Sequence, residues 1–251
     1  MRFPAGAAGI PVRGSPYGPT LAALSAGLEL RAWDRPVWKT RNVTSNPQFA
    51  QYAAKMRRHI ADGTDLDVDA RFVDMLARRG STVLDIGCGT GAAVSGLRAR
   101  GYAAFGIDPT PEVLTVARDN FCPDWFRSLG VEGVTPQRLA ELGIPHSYDL
   151  ILMAGNVPAF LPVGSLRHTF AQVRELLKDG GLFVIGTSSH ARGGPIEQDE
   201  AANATGFELI QRFSDWHLGR FTSDSLWSVS VFAAPGESVN RESPDGIFIL
   251  E

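Results

Sequence analysis

The segment Val83-Leu84-Asp85-Ile86-Gly87-Cys88-Gly89-Thr90-Gly91 restricts the fold more than any other part of the chain, because an apolar run ends in an acid and then in three alternate glycines. A strand that stops at such a loop brings its main chain against a ligand. Glycine has no β-carbon to block that approach and accepts positive φ. Ala92, Ala93, Val94 and Leu97 follow at helical spacing, so the loop opens onto a helix N-terminus with free N–H groups and a positive dipole end. A second apolar run, Ala103-Ala104-Phe105-Gly106-Ile107, ends in Asp108. A carboxylate at that strand end accepts from both hydroxyls of an unphosphorylated ribose and repels a 2′-phosphate. Together the two segments describe a cofactor pocket.

Two cofactors fit. Nicotinamide dinucleotides use G-x-G-x-x-G/A, and Gly87, Gly89 and Ala92 satisfy the second form. The same stretch also reads D-x-G-x-G-x-G, with Asp85 before the loop and Gly91 as its third glycine. An acid facing the loop is awkward beside a pyrophosphate but suits a ligand that carries an ammonium group. S-adenosylmethionine carries one, together with a sulfonium and no phosphate.

At these residues the chain resembles the class I, Rossmann-like S-adenosylmethionine-dependent methyltransferases. The likeness lies in residues 83–91 and in Gly106-Ile107-Asp108-Pro109-Thr110-Pro111-Glu112. It continues through Tyr148-Asp149-Leu150-Ile151-Leu152-Met153-Ala154-Gly155-Asn156-Val157 and Leu176-Leu177-Lys178-Asp179-Gly180-Gly181-Leu182-Phe183-Val184, and spans residues 67–234. The resemblance implies an α/β three-layer sandwich around a mostly parallel seven-stranded sheet whose last strand is antiparallel. It implies S-adenosylmethionine as cofactor, held by Asp85, Gly87, Cys88, Gly89 and Gly91 of the first motif, by Asp108 and Pro109 of the second, and by Asn156 at the sulfonium end. The family often places an acid after the third strand to accept from the adenine amino group. Trp125-Phe126-Arg127-Ser128-Leu129-Gly130 holds none, so Ser128 or main chain stands in for it.

Helical and extended patterns alternate along the chain, as in a parallel sheet covered on both faces. Residues 1–44, dense in Gly, Pro and Ala at their start, read as an irregular extension. Residues 45–234 form the methyltransferase domain, including lid helices before the first strand, and 235–251 a turn-rich tail. The apolar stretch at 20–28 is cut off by Glu29 and is not read as a targeting signal. Helices are expected from Pro47 to before Gly63, over 68–79, up to Arg100, from Pro111 with Thr110 as cap, from Pro136 with Thr135 as cap, and over 165–177. Strands are expected to end at Met153, to span 182–187, and to close as a pair at 208–213 and 226–233, with a short edge strand at 247–250. In the last of the pair, Trp227, Val229 and Val231 alternate with serines, which predicts one apolar face.

A net charge of −3 over 251 residues argues against a general nucleic-acid-binding surface, and no run reaches the length needed to span a membrane. Cys88 and Cys122 are not spaced as a zinc or redox pair, which fits a reducing cytoplasm. Methyl transfer is chiefly a matter of positioning, and a general base is needed only when the acceptor loses its proton late. By position the candidates are His190 and His217, with Tyr52 and Arg57 of the lid as contacts to cofactor or acceptor. No N-P-P-Y or D-P-P-Y sequence follows the fourth strand, where Gly155-Asn156-Val157-Pro158 stands instead. The acceptor is therefore read as a small molecule. A nicotinamide-dependent oxidoreductase and a non-catalytic S-adenosylmethionine-binding module are the alternatives.

Overall fold

In the computed structural model of the protein, residues 47–236 are described. The extension at 1–44, the stretch at 20–28, the edge strand at 247–250 and all but the start of the tail lie outside the described residues. Within them, one seven-stranded sheet runs in the order β3-β2-β1-β4-β5-β7-β6. Its strands are β1 (Thr82–Ile86), β2 (Ala103–Asp108), β3 (Phe126–Ser128), β4 (Tyr148–Met153), β5 (Leu177–Ser188), β6 (Glu208–Phe213) and β7 (Trp227–Ala233). β1 pairs in parallel with both β2 and β4, while β7 is antiparallel to β5 and to β6. The segment joining β6 to β7 contains no helix to carry the chain back across the sheet, so the strand returns in the opposite sense.

The helices are α1 (Pro47–Ala61), α2 (Val68–Leu76), α3 (Ala92–Ala99), α4 (Pro111–Asn120), α5 (Pro136–Glu141), α6 (Val157–Phe160), α7 (Leu166–Leu176) and α8 (Pro195–Thr205). Strands covered on both faces read as continuous apolar runs, and two cores result. One joins Leu84, Ile151, Phe183 and Phe232 of the sheet to Phe170 of α7 and to Ala201 and Ala202 of α8. Phe170 stands edge-on to Phe183, Phe207 and Phe232, with ring centroids 5.1, 5.5 and 5.4 Å away. The other core sets Val83, Leu150, Val184 and Val229 against α2 and α3 through Ala70, Phe72, Val94 and Leu97.

Several boundaries differ from expectation. α2 ends at Leu76 instead of running to residue 79, because Ala77 turns to an extended conformation. Thr135 caps α5 by accepting from Arg138 N–H at 3.1 Å, but Thr110 makes no side-chain cap on α4. β5 begins directly at the end of α7, so the expected glycine turn lies within the strand and coincides with a register shift opposite β4. The helices α6 and α8 are additional. β7 has no polar face, since Ser228 and Ser230 are fully buried. Their hydroxyls are satisfied there: Ser228 donates to the Thr187 carbonyl and Ser230 accepts from Arg212 Nε.

Candidate cofactor site

The sheet order changes direction at β1, whose two neighbours are β2 and β4. A crevice opens at the carboxyl ends of strands at such a switch point. The parallel register sets Asp85 beside Gly106 and Ile86 beside Ile107. From there the glycine loop is stitched to the end of β2: the N–H groups of Gly87 and Cys88 both donate to the Ile107 carbonyl, at 2.8 and 3.0 Å. Gly89 N–H donates to Asp108 Oδ2 at 3.0 Å, and Thr110 N–H to Asp108 Oδ1 at 2.8 Å. Asp108 thus holds the loop while each carboxylate oxygen keeps further acceptor capacity for a ribose. Gly87, Gly89 and Gly91 all have positive φ. Val157 lies against Gly87 and the Phe126 ring against Gly91, whereas nothing lies within 4 Å of where a Gly89 side chain would start. The open side of the loop is at Gly89.

The site is strongly acidic. Asp85 is 2% exposed, and its Oδ1 has no hydrogen-bond partner among the described residues. Burial pushes its carboxyl well above the ordinary range, and the nearby charges of Asp69 and Asp108 push it the same way. Burial also raises Asp108, against the opposing effect of its hydrogen bonds from Thr110 and Gly89. Asp69, in the first turn of α2, was not singled out from the sequence; its carboxyl is raised to about 6, mainly by desolvation. Spacing along the chain carries no signal for it.

The remaining sequence-derived residues distribute unevenly. The Cys88 thiol is buried against Gly106, and burial raises its pKa well above that of a reactive thiol, so it fills the turn. Pro109 and Ser128 are exposed, with Ser128 paired beside Asp108 at the end of β3. Asn156 adopts φ 66° after β4, and its Oδ1 accepts from Thr187 Oγ1 at 3.1 Å and from Ser188 N–H at 2.7 Å. Only its Nδ2 donor is then left for a ligand. Tyr52 of α1 is half-exposed, and its hydroxyl pKa is raised by burial and by the charge of Asp108. Arg57 instead faces Asp119 of α4 at 3.7 Å.

His190 is exposed in the turn after β5, and His217 is exposed in the loop between β6 and β7. That loop is organised by Asp215, which accepts from His217 and Gly219 N–H at 2.7 and 3.1 Å. Trp216 lies on Gly186 and stands edge-on to Phe72 with centroids 5.4 Å apart, so it packs in the core.

Residues 84–183 match the model of a methyltransferase domain. A TehB-like S-adenosylmethionine-dependent methyltransferase from Corynebacterium glutamicum is 29% identical, with a TM-score of 0.66 over 75% of this chain and 100% of that one. Residues 84–183 thus carry a methyltransferase domain, and the similar solved structure is an S-adenosylmethionine-dependent methyltransferase. Among curated relatives, a ribosomal protein L11 methyltransferase of Vibrio cholerae is 32% identical over 60% of this chain and 48% of its own. A demethylmenaquinone methyltransferase of Tropheryma whipplei is 33% identical over 45% of this chain and 44% of its own. The chain spans about half the length of the curated relatives it matches.

The residues present fit the methyltransferase cofactor on independent physical grounds. A buried, unpartnered carboxylate oxygen requires a donor, preferably a cation, and an ammonium group supplies one. Asp108 retains acceptor capacity for ribose hydroxyls, and the opening at Gly89 gives main chain to a ligand. Among the described residues, no group of three or more His, Cys, Asp or Glu side chains is arranged to hold a metal ion.

Proposed function

We propose that the protein transfers a methyl group from S-adenosylmethionine to a small-molecule acceptor. The observation that carries this reading is the buried Asp85 oxygen without a partner, one step from the glycine loop and within the field of Asp108. When bound, the cofactor supplies a methyl group on a sulfonium. Asp108 holds the ribose and, through Gly89 N–H, keeps the loop in register. Ser128 and the adjoining main chain take the adenine edge. Asn156, tied to β5 through its Oδ1, presents Nδ2 at the sulfonium end, and α1 lays Tyr52 over the ribose side. Residues 45–234 act as one domain in which α1 and α2 cover the cofactor, in a reducing cytoplasm.

Support for a small acceptor comes from the extent of likeness and from the space between strands. The L11 methyltransferases share less than half their length with this chain. Between β5 and β6 stand only a short turn and α8, which packs against α7. In this reading the exposed His190 and His217 are dispensable, and catalysis rests on alignment of the acceptor with the methyl group. The test uses methyl-labelled S-adenosylmethionine and a cell extract separated by ultrafiltration into small-molecule and macromolecular fractions. Label is expected in the small-molecule fraction only. Label on protein or RNA overturns the acceptor assignment, and donor binding without transfer to either fraction favours a binding module.

A further inference from the structure

The turn that follows β5 holds polar groups that the chain itself leaves unmatched. Arg192 is partly buried there, and its Nη2 donates to the Ala159 carbonyl of α6. Its Nε is buried without a partner, and the guanidinium forms no ion pair among the described residues. The hydroxyl of Ser189, in the same turn, is likewise buried and unpartnered. Glu197, the carboxylate nearest in sequence, accepts instead from Gly193 N–H at 2.9 Å, and Gln198 donates to the Gly193 carbonyl at 2.7 Å. Those bonds pin the turn while the guanidinium beside it keeps an enclosed donor free.

The short helix α6 ties this turn to the cofactor loop. Val157, its first residue, lies against Gly87, and Pro158 lies against Gly193. Asn156, just before it, accepts from Ser188 N–H at 2.7 Å, and its carbonyl accepts from Ala159 N–H at 2.9 Å. A rise of about 4.5 Å along the helix separates Asn156 from Ala159, the residue that Arg192 holds. A guanidinium does not shed its proton, and an enclosed N–H without an acceptor is costly. The missing partner is an oxygen that bears negative charge, and it must come from outside the chain. One guanidinium matches one negative charge. A carboxylate carries one, whereas a phosphate monoester carries close to two and would leave the excess near an acidic cofactor loop.

We propose that Arg192 is an acceptor-specificity residue: the methyl acceptor carries a carboxylate, which Arg192 binds together with the Ser189 hydroxyl, across α6 from the cofactor loop. This rests on the methyl-transfer reading above and names the class of its acceptor. The carboxylate is the handle by which the acceptor is held, and a different atom of the acceptor takes the methyl group.

The test uses methyl-labelled S-adenosylmethionine and the small-molecule fraction of a cell extract, with wild type, Arg192→Lys, Arg192→Gln and Ser189→Ala. Three portions of the fraction are compared: one untreated, one coupled to methylamine with a carbodiimide so that carboxylates become amides, and one treated with alkaline phosphatase. Wild type is expected to lose transfer with the amidated portion and to keep it with the phosphatase-treated one. At limiting acceptor, Arg192→Gln is expected to transfer at least about tenfold more slowly, the loss of a charge-assisted hydrogen bond, with the deficit shrinking as more of the fraction is added. Arg192→Lys is expected to recover part of the loss, and Ser189→Ala to show a smaller one. All variants are expected to bind S-adenosylhomocysteine as wild type does in calorimetric titration, because Arg192 and Ser189 meet the acceptor and not the donor. Transfer that survives amidation, transfer lost on phosphatase treatment, wild-type transfer by Arg192→Gln, or a loss of transfer matched by an equal loss of S-adenosylhomocysteine binding overturns the proposal. If wild type binds no donor, or labels no small molecule, the methyl-transfer reading has itself failed and the proposal falls with it.

Discussion

At Gly91 an added β-carbon would stand 2.6 Å from the Phe126 ring and 3.1 Å from the Ala117 methyl, in a backbone with φ +81°. At Gly89 the φ is +52° and nothing stands within 4 Å. Gly91→Ala therefore combines left-handed strain of roughly 1 kcal/mol with overpacking of about 1–3 kcal/mol, whereas Gly89→Ala bears the strain alone. Urea denaturation is expected to show a clearly larger loss for Gly91→Ala. Titration with S-adenosylhomocysteine is expected to show Gly89→Ala binding poorly despite its better stability, because its methyl group occupies the open side of the loop. Asp69 has a pH signature of its own. Burial and Asp67 raise its carboxyl from 3.8 to about 6, against Arg71 and the Ala70 N–H. The folded state holds this proton more tightly than the unfolded chain, so ligand-free stability falls as pH rises through that interval and levels off above it. Melting curves across the interval should show Asp69→Asn gaining on wild type as pH rises. The loop residues were legible in the sequence because one short segment holds them in fixed spacing. Asp69 was not, because its burial comes from tertiary packing, which spacing along the chain does not report.

Among the elements, α1 fully buries only Ala53 of its fifteen residues. A small cluster of Ala53, Val113 and Val116, with Ile60 beside it, joins it to α4, and its ion pair from Arg57 to Asp119 is largely exposed. Exposed pairs of that kind contribute little. With few buried apolar contacts, α1 is expected to exchange its amide protons faster than the central strands. Addition of S-adenosylhomocysteine should slow exchange in α1, because the charge of Asp108 reaches the Tyr52 hydroxyl. Exchange in α1 that ignores the ligand would count against its role as a cover. The helix was legible from Phe49, Tyr52, Ala53, Met56 and Ile60 recurring on one face. α8 was hidden because its apolar residues form no stripe, with Ile196 at 78% exposure and Ala201 and Ala202 buried. Its signals were Pro195 at the start and Gly206 in the left-handed conformation at the end. The serines of β7 misled for a related reason. Alternation reports a water-facing side only where the other face is wet, and Ser230 instead meets Arg212, which also pairs with Asp199 of α8 at 2.6 Å.

For the molecule as a whole, the mostly parallel seven-stranded sheet with its antiparallel last strand was carried by the family resemblance, whereas the covering of both faces was legible in the alternation of helix and strand. The switch point at β1 then decides which ends of the strands receive a ligand, and the chemistry there separates the two cofactors considered at the outset. A nicotinamide dinucleotide would bring a pyrophosphate to a loop edged by Asp85 and Asp108, two acids that take no hydrogen bond from an arginine or lysine among the described residues. S-adenosylmethionine would bring an ammonium and a sulfonium to the same place. Ligand binding to the folded state at one hundred times its dissociation constant stabilises by about 2.7 kcal/mol. For a domain of this size, that raises the melting temperature by roughly 5–10 °C. A thermal shift of that order is expected with S-adenosylmethionine and with S-adenosylhomocysteine, and none with NADH at the same concentration. Asp108→Ala should abolish the shift, since it removes the ribose acceptor and frees Gly89 N–H. A shift with NADH that Asp108→Ala removes would return the site to the dinucleotide enzymes.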